Sequence, residues 1–567
     1  MQELVWTLAP LLAAPVPQSH GHSGPAFEPL AEVRTIDGVG NNVTHPLWGS
    51  TGVAFRRLAA PAYADGVSAP SGAGRPSARH VSNLVVAQNG SIPNGLGLSD
   101  FVWQWGQFLD HDIDETPVGT PAERFVIQVP AGDPYFDPTG SGGVVIPMSR
   151  SLRIDEGGVQ EQVNLITAYI DASNVYGSDT ERAEALRTHD GTGKLKTSAG
   201  GLLPFNEDGL PNAPSTGAQF FLAGDFRANE QVGLTAMHTL FVREHNYWAE
   251  RIAEAAEHGS GGHGGGHGHG GPGNPDDGHP ERRRLGRDDL PDRQLTGDDI
   301  YELARAIVGA EMQAITFREF LPALLGPNAI GPYLGYRDDV DASILNEFAT
   351  AGYRFGHSML SPTLRRIGAD GSTIAAGDLS LAGAFFNPAA IIGEGIEPVL
   401  RGLASQESQA VDNFVIDEVR NFLFGPPGAG GFDLAALNLQ RGRDHGLANY
   451  NDVRVALGLG RVQGFHAFPG SPQVIRRLRA AYTSIDDIDP WIGALSETRV
   501  DGGLVGPTLR AMLVLQFEAL RDGDRFWYSQ ALPTDLVDLV EEQTLARVIR
   551  RNTGIGAELA EDVFRVQ

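Results

Sequence analysis

Leu234, Met237, Phe241, His245, Trp248 and Ile252 recur at steps of three and four residues. At 3.6 residues per turn that spacing gathers them on one side of a helix, which must bury its apolar stripe against something else. A second helix follows. Thr296-Gly297-Asp298-Asp299 pairs a hydroxyl with a carboxylate three residues on, a helix-start pattern, and Ile300, Leu303, Ile307, Ala310 and Ala314 continue it with the same steps. Ala342 to Met359 has a similar character, whereas strand signals are few and short. The expected fold is mainly α, one large helical domain with few short strands.

Composition limits what such a domain can do. A length of 567 residues allows two to four domains, but single large helical enzymes reach this size, and 41% apolar residues supply a sizeable core. The balance of 43 Lys and Arg against 70 Asp and Glu gives a formal charge of −27, which argues against nucleic acid or an anionic membrane as partner. Absence of cysteine excludes disulfides, thiolate ligands and cysteine nucleophiles. No run of 18 or more apolar residues occurs, so no membrane-spanning helix is expected. Leu4 to Ala14 has the length of a secretion-signal core but lacks a basic flank, with Glu3 before it and Arg34 the first cation. Residues 1–32 are therefore expected to be an N-terminal arm or a signal segment. Residues 15–100, rich in Pro, Gly, Ser and Asn, read as an irregular arm laid over a core. The Gly-rich tract at 258–284, with His258, His263, His267, His269 and His279, reads as a flexible surface insertion whose histidines would bind metal loosely at best.

Chemistry concentrates in Asp110-His111-Asp112. On a helix Gln107, Asp110, His111 and Asp114 share a face, while Asp112, about 100° further round, meets a different neighbour. Such a run alone is commonly a polar helix end. Three further blocks change its weight: Arg227-Ala228-Asn229-Glu230, then Tyr353-Arg354-Phe355-Gly356-His357, then Asn438-Leu439-Gln440-Arg441-Gly442-Arg443-Asp444-His445. With these four blocks in this order, the chain resembles the animal-type haem peroxidases, the group of myeloperoxidase, lactoperoxidase and peroxidasin, related to the cyclooxygenases. The likeness spans 33–560. Lack of cysteines makes it similar to a bacterial-type member.

The resemblance implies haem b and a set of roles. His111 matches the base that moves the peroxide proton, and Arg227 the cation that stabilises charge on the leaving oxygen. Gln107 matches the glutamine that hydrogen-bonds water or halide beside them. His357 matches the iron ligand, and Asn438 the acceptor, through its side-chain oxygen, of the ligand's second ring proton. Arg441 would pair with a haem propionate, and Arg354, three before His357, is also expected at the cofactor. Asp110 and Glu230 match carboxylates that form ester bonds to haem in mammalian members. Gln231 stands where myeloperoxidase has the methionine of its sulfonium link, so at most two ester links and a less oxidising haem are expected, favouring bromide, iodide or thiocyanate over chloride. Thr167, Tyr169 through its carbonyl, Asp171 and Ser173, joined by Asp112, match a Ca2+ site, and alternate oxygens on an extended loop suit a hard cation.

The function expected is thus a haem peroxidase taking hydrogen peroxide and small anionic or phenolic reductants, secreted or extracellular by family habit. Two alternatives stand beside it. A fatty-acid dioxygenase of the cyclooxygenase branch needs a tyrosine three residues before the iron ligand, where this chain has Arg354. A catalytically silent, calcium-stabilised adhesion protein would not need Gln107, His111, Arg227, His357 and Asn438 together. His238 and His245 fit no zinc pattern and are read as core histidines; Arg443, Asp444 and His445 are read as packing groups.

Overall fold

The computed structural model describes residues 27–260 and 295–566. Helix α1, Phe101–Ile113, runs through the centre, with Phe101, Trp105, Phe108, Leu109 and Ile113 fully buried. It stops at Asp114, whose backbone turns extended, three residues before Pro117. Asn164 secures that end by donating to the Ile113 carbonyl (2.9 Å) and accepting from the Glu115 N–H (2.9 Å). Asn164 closes the strand Val159–Asn164, which pairs antiparallel with Val53–Ala54 on one side and Arg153–Glu156 on the other. Two further two-stranded ladders complete the regular strands among the described residues.

Helix α2, Val232–Ser260, buries the expected stripe: Leu234, Met237, Phe241, His245, Trp248 and Ile252 are all in the core. The Phe241 ring meets Phe108 and Trp105 of α1 at centroid separations of 5.0 and 5.8 Å, so aromatic packing locks α1 onto α2. His238 and His245 are fully buried, and burial pushes His245 down to about 4, a neutral core imidazole held by Tyr176 and the Gly193 carbonyl. Helix α3, Gly297–Ile315, begins with a reciprocal cap between Thr296 and Asp299 and packs along α2. The tract read as a surface insertion lies, beyond the end of α2, outside the described residues, as do residues 1–26.

One helical expectation is only partly met. Across Ala342 to Met359, Leu345 instead bridges Arg56, helix starts at Asn346, and the chain opens into a wide turn at Phe348–Gly352 and tightens into a 3-10 turn at Tyr353–Ser358. Two local causes act together. Met512 Sδ would lie 2.4 Å from a Cβ at Gly352, so this turn is pressed against Pro507–Asp522. The Arg354 side chain also takes the Ala349 carbonyl at 3.0 Å, diverting it from a regular ladder. Helix α4, Leu434–Asp444, starts at an Asp433 cap that also accepts from the buried Arg79. Among the described residues no helix is long and apolar enough to cross a membrane. The molecule is mainly helical, as the periodicity predicts.

Candidate active site

α1, the loop before α2, the 3-10 turn and α4 converge on a cavity of about 350 Å³, within the ~300–1,000 Å³ range of cofactor and ligand sites. α1 supplies Gln107, Asp110 and His111 to its lining, and Asp114, just past its end, joins them on the side that their spacing predicts. His111 Nε2 stands 4.0 Å from Glu230 Oε2, and Nδ1 stands 3.5 Å from Asp225 Oδ1 without a well-directed hydrogen bond. Burial first, and the Arg227 charge second, hold the imidazole pKa well below its ordinary value. His111 is therefore a neutral imidazole at physiological pH.

Arg227 is fixed by Asp225, which accepts from Nε (2.9 Å), Nη2 (2.8 Å) and the Arg227 backbone N–H (2.8 Å). Burial works against both charges, but each outweighs it for the other: Asp225 is held well below the usual carboxylate range and Arg227 stays cationic. Arg227 Nη1 also lies 3.9 Å from Asp110 Oδ2. Asp110 and Glu230 keep 29% and 31% of their side-chain surface accessible because they border the cavity, although it lies inside the protein. That interior position pushes Asp110 up to about 6 and Glu230 up to about 7, with Arg227 pulling each the other way.

His357 also lines the cavity, and its Nδ1 lies 2.7 Å from the Asn438 side chain. The pairing is as expected, but its polarity is not. Asn438 presents Nδ2 to the ring, while its Oδ1 takes Arg354 Nη1 at 3.3 Å. A guanidinium only donates, so it claims the amide oxygen and leaves the NH2 for the imidazole. Arg354 and Arg441 both border the cavity, where burial lowers both guanidinium pKa values and the Arg441 charge lowers that of Arg354 further. Arg441 spends Nη1 on Ser151, Ser149 and Asp444, and no other nitrogen of it is hydrogen-bonded among the described residues. Two like charges beside one cavity suit a cofactor that carries carboxylates, and His357 suits a metal at its centre. Arg443, Asp444 and His445 bond to Asp489, Arg150 and Ser151, the packing roles expected of them.

The loop residues read as cation ligands gather behind α1. Ser173 Oγ donates to Asp112 Oδ1 at 3.0 Å, and Thr167 Oγ1 donates to Asp171 Oδ1 at 3.0 Å. Backbone N–H groups of Asp171, Ala172 and Asn174 also point at the Asp112 carboxylate. Tyr169 sends its hydroxyl away to the Trp48 carbonyl. Burial, with Asp171 adding repulsion, pushes Asp112 well above the carboxylate range, and burial raises Asp171 although Arg34 and Arg305 oppose it. Asp171 Oδ2 is buried with no hydrogen-bond partner. Two buried carboxylates, two hydroxyls and one unpartnered oxygen fit a hard divalent cation. No group of three or more His, Asp or Glu side chains placed to hold a metal occurs among the described residues.

Two contributors escape the sequence reading. Asp225 lies in Gly224-Asp225-Phe226-Arg227 with no periodic signal; its bonds to Arg227 are local, and only folding brings it to His111. Gln104 precedes Gln107 by three residues, so helical spacing does announce it, and its Oε1 accepts from Gln231 Nε2 at 2.7 Å.

The sequence profile described as animal haem peroxidase matches residues 33–564. Peroxidasin of Drosophila melanogaster is 36% identical over 553 residues, covering 87% of this chain and 33% of its own length, so the chain spans about a third of that relative. The solved structure of peroxidase A from Dictyostelium discoideum superposes with a TM-score of 0.82 at 32% identity, covering 94% of this chain and 99% of that one. A fatty acid alpha-dioxygenase of Arabidopsis thaliana shares the fold at a TM-score of 0.75, with 19% identity over 94% of this chain and 83% of the other. On the profile match and the peroxidase likeness together, the chain belongs to the animal haem peroxidase family.

Proposed function

We propose that the protein is a haem peroxidase that uses hydrogen peroxide to oxidise bromide, iodide, thiocyanate or phenolic donors, acting outside the cell. The reading is carried by one cavity lined by His111 and Arg227 and by His357, with Asn438 behind His357. When bound, haem b supplies an iron that peroxide oxidises by two electrons and that small donors reduce again. His357 would hold the iron through Nε2, and Arg354 and Arg441 would hold the propionates. With Arg354 engaged by a carboxylate, Asn438 Oδ1 would be free of it, and a half-turn of the amide would let that oxygen accept the Nδ1 proton of His357. Asp110 and Glu230, both bordering the cavity, are the candidates for ester links.

His111 Nε2 takes a proton from one peroxide oxygen and returns it to the departing one. Arg227, kept charged and immobile by Asp225, stabilises the negative charge that develops on the departing oxygen. Ca2+ held by Asp112, Thr167, Tyr169, Asp171 and Ser173 would anchor the end of α1 that aims His111. The dioxygenase alternative is disfavoured because Arg354 occupies the residue three before His357 and Tyr353 the residue four before. Haem-supplied protein is expected to show a Soret band that shifts within milliseconds of adding peroxide. A Soret band that peroxide leaves unmoved would support the silent adhesion protein instead.

A further inference from the structure

Three glutamine side chains meet at the mouth of α2 on the Gln107 side of the cavity. The Gly233 backbone N–H donates to Gln231 Oε1 at 2.6 Å. A backbone N–H has no acceptor form, so this contact fixes which end of the Gln231 amide is oxygen. Gln231 Nε2 then spends its two hydrogens on Gln104 Oε1 (2.7 Å) and Gln107 Oε1 (3.0 Å). Gln104 Nε2 is left buried without an acceptor, the consequence of turning its oxygen toward Gln231. The cluster is tightly built: a Cβ on Gly233 would lie 2.3 Å from Gln104 Oε1 and 3.0 Å from Gln231 Oε1. The Gln231 backbone is held as well, by a bridge to Phe385 and by the Thr235 N–H on its carbonyl.

With its oxygen turned to Gln231, Gln107 points its NH2 the other way, and no protein acceptor uses that group among the described residues. We propose that Gln231 is a positioning residue that locks the Gln107 amide with its NH2 toward the cavity, so that the pocket receives small anions as hydrogen-bond acceptors. The proposal rests on the peroxidase reading and extends it to Gln231, at the edge of the same cavity. Polarity passes from the Gly233 backbone through Gln231 to Gln107, and each link leaves the next a single orientation. An apolar leucine at 231 would carry no such instruction. A carboxylate there would reverse it, drawing the Gln107 NH2 away from the cavity and adding a negative charge beside the anion's place.

The test titrates haem-loaded wild type, Gln231→Leu and Gln231→Glu with bromide and with thiocyanate, following haem absorption between about pH 5 and about pH 8. Gln231→Leu is expected to weaken anion binding about tenfold, the loss of one oriented hydrogen bond to a charged acceptor. In turnover that loss should appear as a raised KM for the anion rather than a lowered kcat. Gln231→Glu should bind nearly as wild type while its carboxyl is protonated and donates, then fall below Gln231→Leu as pH rises. Its ratio to wild type at each pH is the readout, and a packing defect alone would not give that ratio a pH dependence. Both variants carrying full haem yet binding anions within about twofold of wild type at every pH would overturn the inference alone. A wild-type protein that takes up no haem would overturn the peroxidase reading and this inference with it.

Discussion

Asp225 joins the two side chains assigned to peroxide, accepting from the Arg227 side chain and backbone while standing 3.5 Å from His111 Nδ1. Because the pair is buried, removing one charge strands the other. Asp225→Asn is expected to cost about 3 kcal/mol of stability by denaturant unfolding and to slow the reaction with peroxide on the order of 10²-fold in stopped flow. The pH dependence follows from the depressed Asp225 pKa. A carboxyl whose folded pKa lies below its unfolded value adds stability above roughly pH 4 and loses it as pH falls toward the folded pKa. Wild type should therefore lose more stability than Asp225→Asn on acidification below about pH 4; equal losses would show that Asp225 is not ionised in the fold. At this scale the sequence names His111, Arg227, Gln107 and His357, whose motifs are local. It misses Asp225, whose approach to His111 exists only after folding, and no spacing reveals that Arg354 competes for the Asn438 oxygen.

α1 connects two sites through adjacent residues. His111 faces the cavity while Asp112, one step further round, accepts from the Ser173 hydroxyl and from the backbone N–H groups of Asp171, Ala172 and Asn174. That offset is written in the helical repeat and was legible before folding. A cation beside Asp112 and Asp171 would thus set the aim of His111. Chelation is expected to lower the melting temperature and to slow peroxide reactivity on the order of 10²-fold, with both restored by Ca2+ and not by Mg2+. Full peroxide reactivity after the chelator has removed all calcium would reject the coupling. Long elements were legible because a buried stripe forces a 3.6-residue repeat, as in α2 and α3. The segment leading to His357 was not, because Met512 against Gly352 and Arg354 on the Ala349 carbonyl are contacts from outside or across the turn.

At the scale of the whole molecule, helices enclose the cavity shared by His111 and His357, and the chain's apolar content and absence of cysteine already pointed to a core held by packing. The fold does not choose between chemistries: the dioxygenase likeness at 19% identity has a TM-score of 0.75. The function therefore rests on which side chain reaches the metal. Resonance Raman spectroscopy of the ferrous haem-loaded protein tests this directly. An iron–histidine stretch is expected in wild type and should vanish in His357→Ala. A haem-loaded wild type without that stretch, or a His357→Ala protein that keeps it, would contradict the account.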